Sequence, residues 1–344
     1  MPEPNDEILA YLTTSPSSSL AGAPVEIIDH WAGDSNLLWR VQTRGQEAAL
    51  KLYLDAGQVR SRREYDGQLL FAPYGLAPQP LWLDRVPETL PRSVLVYRWV
   101  HGEPFDPADG AQWPALARAA AQVHRAPVEG MDRFSPHPVN LSYFWSVLGP
   151  SLPPLGGWLR NHRLGRLAEL VGRLHGCGQR IVEEGLPLWD QPPGAVHGDL
   201  RPANVLNSFG APVLLDWEMF GLGDAALEAA RFLHEQRSIA PADALDAWLD
   251  AYLAAVDDGA AAARIEVYRR LLPLQDAAYL LSGGMKLSPE ERRAPELLEN
   301  LDYLAAALHR ALGQALIASG AGAAHEEEGA AAECAALFAQ ENSA

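Results

Sequence analysis

Hydrophobic and polar positions follow two different patterns along the chain. Between residues 25 and 97, short apolar runs are separated by turn residues, which is typical of strands. From residue 112 onward, apolar residues recur every three or four positions, which is typical of amphipathic helices. The chain is therefore predicted to begin with a sheet and to continue as a mostly helical region.

The predicted elements can be placed along the chain. The strands of the N-terminal region are expected at residues 25–28, 37–41, 48–53 and 93–97, with a helix at 58–71 between the last two. The later helices are expected at 112–125, 155–184, 225–236, 241–255, 262–281 and 289–318. A hairpin with strands at 205–206 and 212–215 interrupts them. Residues 1–24 are expected to be a flexible leader, and residues 319–344 a low-complexity tail.

Composition and charge narrow the class of protein. The 344 residues carry a net charge of −17 and are 48% hydrophobic, which suits one large or two moderate globular domains. The N-terminus lacks the basic and apolar regions of a secretory signal, and no apolar run reaches the length of a membrane span. Two distant cysteines give no disulfide framework, and an acidic chain binds nucleic acid poorly. We expect a cytoplasmic protein without nucleic-acid or membrane partners and of unknown oligomeric state.

Lysine is nearly absent, which draws attention to the two that remain. Lys51 and Lys286 stand against 25 arginines. Lys51 lies inside an apolar strand, where an unpaired ammonium would be costly, so we interpret it as a functional group. Neither lysine lies in a Walker A loop.

The hairpin carries the strongest chemical motif. His197-Gly198-Asp199 is followed by Asn204 and, after the second strand, by Asp216, which matches the kinase pattern H-x-D-x-x-x-x-N plus a metal-binding Asp. Asp199 could accept or orient the proton of an attacking hydroxyl. Asn204 and Asp216 offer oxygen ligands that suit Mg²⁺. The hairpin thus points to phosphoryl transfer.

A second set of residues lies upstream. Glu64 follows Lys51 by thirteen positions on the predicted helix, where it could hold the ammonium toward nucleotide phosphates, and Asp66 is an alternative partner. Ser35 and Asn36 lie in a turn with a single glycine and could contact phosphate, although an ordinary polar turn would look the same. The polar segment from Arg98 to Val100 follows a strand and could bind a nucleotide base through its backbone. We predict that these residues form the nucleotide-binding site.

Together these pieces resemble a known family. The segments Ala49-Leu50-Lys51, Arg63-Glu64, residues 96–102, residues 197–206 and Asp216-Trp217-Glu218 occur in the order of the aminoglycoside phosphotransferase (choline-kinase-like) family. The resemblance covers about residues 25–318. It implies an ATP-dependent kinase fold whose acceptor is the hydroxyl of a small molecule.

The resemblance also implies residue roles. Asp199 would be the catalytic base, Lys51 the phosphate lysine with Glu64 as its partner, and Asn204 and Asp216 the metal ligands. Glu218 takes the place of a second acidic residue near the metal. Other roles stay open: Arg201 could clamp the transferred phosphoryl group or pair with a nearby acid, and His197 is interpreted as a structural histidine. One departure is Glu228, where many members have Asp.

The combined prediction is an α+β, bilobal, protein-kinase-like fold. Residues 25–101 would form the N-lobe and residues 102–318 a helical C-lobe with the acceptor site. The predicted reaction moves the γ-phosphoryl group of ATP (or GTP), with Mg²⁺, to a small-molecule hydroxyl acceptor. The alternatives are a protein Ser/Thr kinase on the same frame, a nucleotide-binding or acyl-CoA-dependent relative without kinase activity, and a catalytically weak nucleotide-binding module.

Charge suggests which acceptor to expect. Residues 102–318 contain 18 Lys and Arg against 27 Asp and Glu, a net charge of −9. Since the family resemblance implies that this lobe faces the acceptor, an acidic cleft would favour a cationic or neutral compound over an anionic one. Solvated acidic helix faces, which only keep the protein soluble, are the alternative.

Overall fold

The computed structural model describes residues 4–33, 35–55, 57, 59–129, 136–322 and 329–339. The chain divides into two compact units. Unit 1 comprises Met1–His137, Gly194–Glu228 and Arg237–Asp257, and unit 2 comprises Pro138–Pro193, Ala229–Gln236 and Asp258–Ala344. The predicted lobe boundaries at residues 25, 101 and 318 stay a prediction.

The regular elements lie in the following order. The strands are β1 (Glu26–Ala32), β2 (Asn36–Thr43), β3 (Gln46–Tyr53), β4 (Pro80–Asp84), β5 (Val94–Arg98), β6 (Glu103–Pro104), β7 (Gly194–Val196), β8 (Val205–Ser208), β9 (Ala211–Leu214) and β10 (Gly221–Gly223). The α-helices are α1 (Pro4–Thr14), α2 (Val59–Phe71), α3 (Gln112–His124), α4 (Leu141–Leu148), α5 (Leu152–Asn161), α6 (Gly165–Gly185), α7 (Ala225–Gln236), α8 (Ala242–Val256), α9 (Ala261–Lys286), α10 (Pro295–Ser319) and α11 (Ala331–Ala339).

Unit 1 is built on an antiparallel sheet with the strand order β1-β2-β3-β5-β4. Because side chains alternate across a strand, Ala48, Leu50 and Leu52 of β3 enter one apolar core. Lys51 and Tyr53 project from the opposite face, the face that carries the candidate chemistry. The sheet therefore separates a packed side from a functional side.

Helix α1 covers the packed face and differs from the flexible leader expected for residues 1–24. Ile8, Tyr11 and Leu12 are buried in the same core as the sheet. Their spacing places them on one face of a helix, and this face can pack once the sheet is present. Tyr11 also donates to Asp84 at 3.1 Å and accepts from the Trp82 indole at 3.1 Å, which attaches the helix to β4.

The hairpin that carries the Asp199–Asn204 motif is also in unit 1. Strand β8 pairs with β6 and β9, and β7 pairs with β10, all antiparallel. A 3-10 helix at Trp217–Met219 follows β9 and lies against α2. Gly67 of α2 permits this approach, since a Cβ at that position would be 2.9 Å from the Trp217 ring. Phe71 stacks on the same ring, with centroids 4.7 Å apart.

Unit 2 is helical, and its boundaries differ from the predicted ones. The single helix expected at residues 155–184 is two helices, α5 and α6, because Arg163 between them adopts a left-handed conformation with φ of 62°. Helix α4 of this unit was not predicted, and neither was strand β4 of unit 1. The tail contains α11, whose Leu337 and Phe338 are buried. No helix within the described ranges combines the length and apolar character needed to cross a membrane.

Candidate active site

Lys51 is held by two carboxylates. Its side chain is buried, and Nζ lies 2.6 Å from Glu64 Oε2 on α2 and 2.7 Å from Asp216 Oδ1 after β9. Asp66, the alternative partner, instead pairs with Arg62 on the exposed side of α2. The structure thus brings Lys51, Glu64 and Asp216 together and places Asp66 elsewhere.

Burial and charge act in opposite directions on this group. Burial opposes the charged form of Lys51, but the Glu64 and Asp216 carboxylates outweigh it and raise its pKa above the ordinary value. Burial also opposes the charged form of Glu64, which raises the pKa of this carboxyl group, and the Lys51 ammonium opposes that rise. Because the ammonium lies 2.6 Å from the carboxylate, we assign the ion-pair form to both groups. Tyr53 completes the Glu64 environment with a 2.6 Å hydrogen bond to the same oxygen.

Three carboxylates converge beside Lys51. Glu64, Asp216 and Glu218 each place one oxygen within 4.8 Å of the others. Glu218 is 8% exposed, and burial raises its pKa while Lys51 opposes the rise. Its Oε2 atom is buried and has no hydrogen-bond partner among the described residues. A buried carboxylate oxygen without a donor is costly, and a hard divalent cation such as Mg²⁺ would satisfy it. The residues therefore fit the predicted metal.

Asn204 is attached to Asp199 rather than to those carboxylates. Its Nδ2 donates to the Asp199 backbone oxygen at 2.9 Å and to Asp199 Oδ2 at 2.8 Å. Arg201 also lies 3.0 Å from Oδ2, and both members of this pair are partly exposed. Among the described residues, Asp199 Oδ1 accepts no hydrogen bond. Asn204 and Arg201 thus orient one oxygen of Asp199 and leave the other open.

Glu228 supports the loop that carries Asp199. Its carboxylate accepts the backbone N–H groups of His197 (3.1 Å) and Gly198, and it lies 2.7 Å from His124 Nε2. Burial alone would raise the pKa of Glu228, but the hydrogen bond and charge of His124 outweigh it and lower the pKa to about 2. Glu228 is therefore an anion that holds the backbone of the His197–Asp199 turn.

The two histidines near Glu228 have structural partners. His124 Nδ1 lies 2.7 Å from the Tyr252 hydroxyl of α8. Since a carboxylate only accepts, Nε2 donates to Glu228, and Nδ1 forms the hydrogen bond with the Tyr252 hydroxyl. His197 contacts the Leu215 carbonyl at 3.0 Å, and burial lowers its pKa. Both histidines thus connect the His197–Asp199 turn to surrounding elements.

The predicted phosphate turn lies at the Lys51 end of the sheet. Asn36 opposes Tyr53 in the β2–β3 pair, two residues from Lys51. Asn36 Nδ2 donates to Ser35 Oγ at 3.3 Å, and the Ser35 carbonyl accepts from Leu54. Ser35 and Asn36 therefore form a local turn and do not contact the carboxylate cluster.

The predicted base-binding segment leaves β5. The Arg98 N–H donates to the Gln79 carbonyl (2.8 Å), and the Trp99 N–H donates to the Glu47 carbonyl (3.1 Å). Val100 makes no backbone hydrogen bond within the described ranges. Of these two predicted positions, Val100 retains backbone groups that could bind a ligand, whereas the N–H group of Arg98 is already bonded.

Three residues of the site were not identified from the sequence. Tyr53 lies two positions after Lys51 on a strand, so the two side chains point to the same face. This spacing could have identified Tyr53 as a neighbour of Lys51. Arg60 contacts Glu218 at 3.2 Å across 158 positions, and Tyr252 contacts His124 across 128. No spacing rule relates residues so far apart in sequence.

The sequence also matches the model of a known protein family. The model of the phosphotransferase enzyme family (APH) matches residues 26–274, more than half of the chain. The chain belongs to this family. The resemblance inferred from the motifs is thereby confirmed, and the protein is a phosphotransferase. No curated protein sequence matches the chain.

Solved structures with low sequence identity share the fold. A choline/ethanolamine kinase family protein from Mesorhizobium loti has a TM-score of 0.53 at 19% identity, over 92% of this chain and 99% of that one. Macrolide 2'-phosphotransferase MphH from Brachybacterium faecium has a TM-score of 0.52 at 20% identity, over 88% and 97%. A thermostable variant of aminoglycoside phosphotransferase APH(4)-Ia, in complex with AMP-PNP and hygromycin B, has a TM-score of 0.55 at 16% identity, over 87% and 95%. The predicted α+β, bilobal, kinase-like fold is confirmed.

Proposed function

We propose that this phosphotransferase moves the γ-phosphoryl group of ATP or GTP, with Mg²⁺, to a hydroxyl group of a small molecule. The observation that carries the proposal is the position of Lys51 Nζ, which is bonded to Glu64 and Asp216. The Asp199–Asn204 pair is held next to Asp216, because the Leu215 N–H donates to the Asn204 carbonyl at 2.8 Å. Phosphoryl transfer needs positioned charge more than covalent chemistry, and this group supplies it.

The nucleotide side of the reaction is assigned to residues of the sheet and the hairpin. Lys51 binds phosphate oxygens, and Glu64 keeps its ammonium in place. Asp216, Glu218 and the side-chain oxygen of Asn204 would hold Mg²⁺, which when bound neutralises charge on the transferred phosphate. Ser35 and Asn36 are proposed to contact phosphate, and the backbone from Arg98 to Val100 to bind the base.

The acceptor side is assigned to Asp199. Its open Oδ1 accepts the proton of the acceptor hydroxyl. As the proton leaves, the hydroxyl oxygen bonds to the γ-phosphorus, and the bond from that phosphorus to the departing nucleoside diphosphate breaks. Arg201 lies against the other carboxylate oxygen, where it can orient Asp199 and face the transferred group.

A substrate screen tests the proposal. Nucleoside diphosphate release would be measured with ATP or GTP, Mg²⁺ and panels of amino sugars, amino alcohols, neutral polyols, sugar phosphates and a generic protein, with Asp199→Asn as the inactive control. We expect release that depends on one small-molecule panel and is lost in the variant. Release with the protein panel alone would favour the protein-kinase alternative. No release above the variant in any panel would favour the nucleotide-binding module.

We further propose a cationic or neutral acceptor, because residues 102–318 carry a net charge of −9. For a cationic acceptor, kcat/KM should fall as salt rises, since the Debye length shortens to about 10 Å at 0.1 M. A neutral acceptor should show no such dependence. An anionic acceptor, with a rate that rises with salt, would contradict the assignment. A cytoplasmic location and the absence of nucleic-acid partners stay predictions.

A further inference from the structure

The carboxylate cluster contains a second cation besides Lys51. Arg60, in the first turn of α2, places Nη1 3.2 Å from Glu218 Oε1 and Nε 3.8 Å from Asp55 Oδ2. The Arg60 side chain is 39% exposed, whereas that of Glu218 is 11% exposed. A partly exposed guanidinium thus reaches into the cluster and pairs with Glu218, the acid whose other oxygen has no hydrogen-bond partner.

The distances divide the carboxylates between the two cations. Lys51 Nζ lies at 2.6 and 2.7 Å from Glu64 and Asp216, but at 3.7 Å from Glu218, which is beyond hydrogen-bond distance. Within the described part of the chain, the direct hydrogen bond to the Glu218 carboxylate comes from Arg60. It reaches Oε1 and leaves Oε2 without a hydrogen-bond partner.

A divalent cation at these carboxylates would meet Arg60 as a like charge across Glu218. The two cations would share one carboxylate, so each would weaken the hold of the other. Because Arg60 is partly exposed, its guanidinium can turn to solvent or to Asp55 when Glu218 is taken by a metal, whereas buried Lys51 cannot leave without losing both partners.

We propose that Arg60 is a positioning residue that holds Glu218 while no metal is bound and competes with the divalent cation for it. Arg60 thereby sets the cation concentration at which the site fills. The inference rests on the proposed function, because it takes Glu218 as a metal ligand.

The test measures metal binding in the absence of turnover. Mn²⁺ would be titrated into nucleotide-free, full-length protein, with bound metal followed by loss of the free-Mn²⁺ paramagnetic resonance signal. Loss of a partly exposed positive charge near the metal should tighten Mn²⁺ binding in Arg60→Gln by about 3- to 10-fold at low salt. The gain should shrink as salt is raised. Arg60→Lys, which keeps the charge, should remain within about 2-fold of the natural protein.

Two controls separate this role from a general effect on α2. Arg62→Gln removes an arginine two positions away that pairs with Asp66, and it should leave Mn²⁺ affinity unchanged. In a Glu218→Gln background, Arg60→Gln should give a clearly smaller gain, because the competition for the shared carboxylate is gone. Unchanged or weaker Mn²⁺ binding in Arg60→Gln, or an equal gain in the Glu218→Gln background, would overturn the inference alone. A natural protein that binds no Mn²⁺ and shows no phosphoryl transfer would remove the proposed function as well.

Discussion

Tyr53 and Glu64 are joined by a 2.6 Å hydrogen bond to Oε2, the same oxygen that accepts the Lys51 ammonium. Both donors project from one face of β3, and Glu64 comes from α2. Burial raises the pKa of the Tyr53 phenol, so it stays protonated and remains a donor. One carboxylate oxygen of a helix is therefore fixed by two donors of a strand.

Tyr53→Phe should destabilise the protein, because it removes a buried hydrogen bond to a charged group without opening a cavity. We expect a loss of about 1–3 kcal/mol in the free energy of unfolding, measured by urea denaturation. Tyr97→Phe on the neighbouring strand is the matched control, since burial and nearby charges act on the Tyr97 phenol, whereas no hydrogen bond to Glu64 does. Equal losses in the two variants would show that the bond to Glu64 is not stabilising.

The sequence predicted what is local. Asn204 is bonded to Asp199 five positions away, and Glu64 to Lys51 thirteen positions away, so a motif or an element pair contains both partners. Alternation at residues 48–53 predicted the strand of Lys51, and the pattern at residues 58–71 predicted the helix of Glu64. The pairing of the two side chains came from the kinase arrangement, and Asp66 was the alternative partner.

The sequence could not predict contacts that exist only after the chain has folded. Tyr11 bonds to Asp84 across 73 positions, and Arg60 to Glu218 across 158. A short helix rich in polar residues, such as α1, is marginal alone and becomes ordered by packing on the sheet. The expectation of a flexible leader failed because propensity was judged without this tertiary contact.

Asp199→Ala should lower turnover by about 10²–10⁴-fold while nucleotide binding persists, because the base acts on the acceptor and not on the nucleotide. Turnover and nucleotide affinity would be measured by product release and calorimetry. Asp66→Ala removes an exposed acid of α2 that pairs with Arg62, and it should keep turnover within about 2-fold. Near-normal turnover of Asp199→Ala on its true acceptor would show that another group takes the proton.

Leu12→Ala should destabilise unit 1, since Leu12 is fully buried between α1 and the sheet. Removal of a buried leucine side chain leaves a cavity, and we expect a loss of about 2–4 kcal/mol by urea denaturation. Leu9→Ala makes the same substitution at a half-buried position of the same helix, and it should cost less than half as much. A negligible effect of Leu12→Ala would mean that α1 does not contribute to the stability of the sheet.

Glu228 should make stability depend on pH in acid. Its pKa falls from 4.5 in the unfolded chain to about 2 in the folded one, because the His124 interaction outweighs burial. A carboxylate with a lowered folded pKa stabilises the protein fully above the unfolded value, and this contribution is lost as pH falls toward about 2. Below pH 4.5 the loss should approach about 1.4 kcal/mol per pH unit.

Comparison with Glu228→Gln isolates this contribution from the other acids. The glutamine cannot titrate, and it places an amide group where the backbone N–H groups of His197 and Gly198 need an acceptor. The natural protein should be the more stable of the two near pH 6, and the difference in the free energy of unfolding should narrow as the pH falls from 4.5 to 3.5. His124 and His197 contact or neighbour Glu228 and are present in both proteins, so the comparison isolates the carboxylate of Glu228. If the difference between the two proteins stays constant across that range, Glu228 does not carry a lowered pKa, and the catalytic loop is held by its geometry alone.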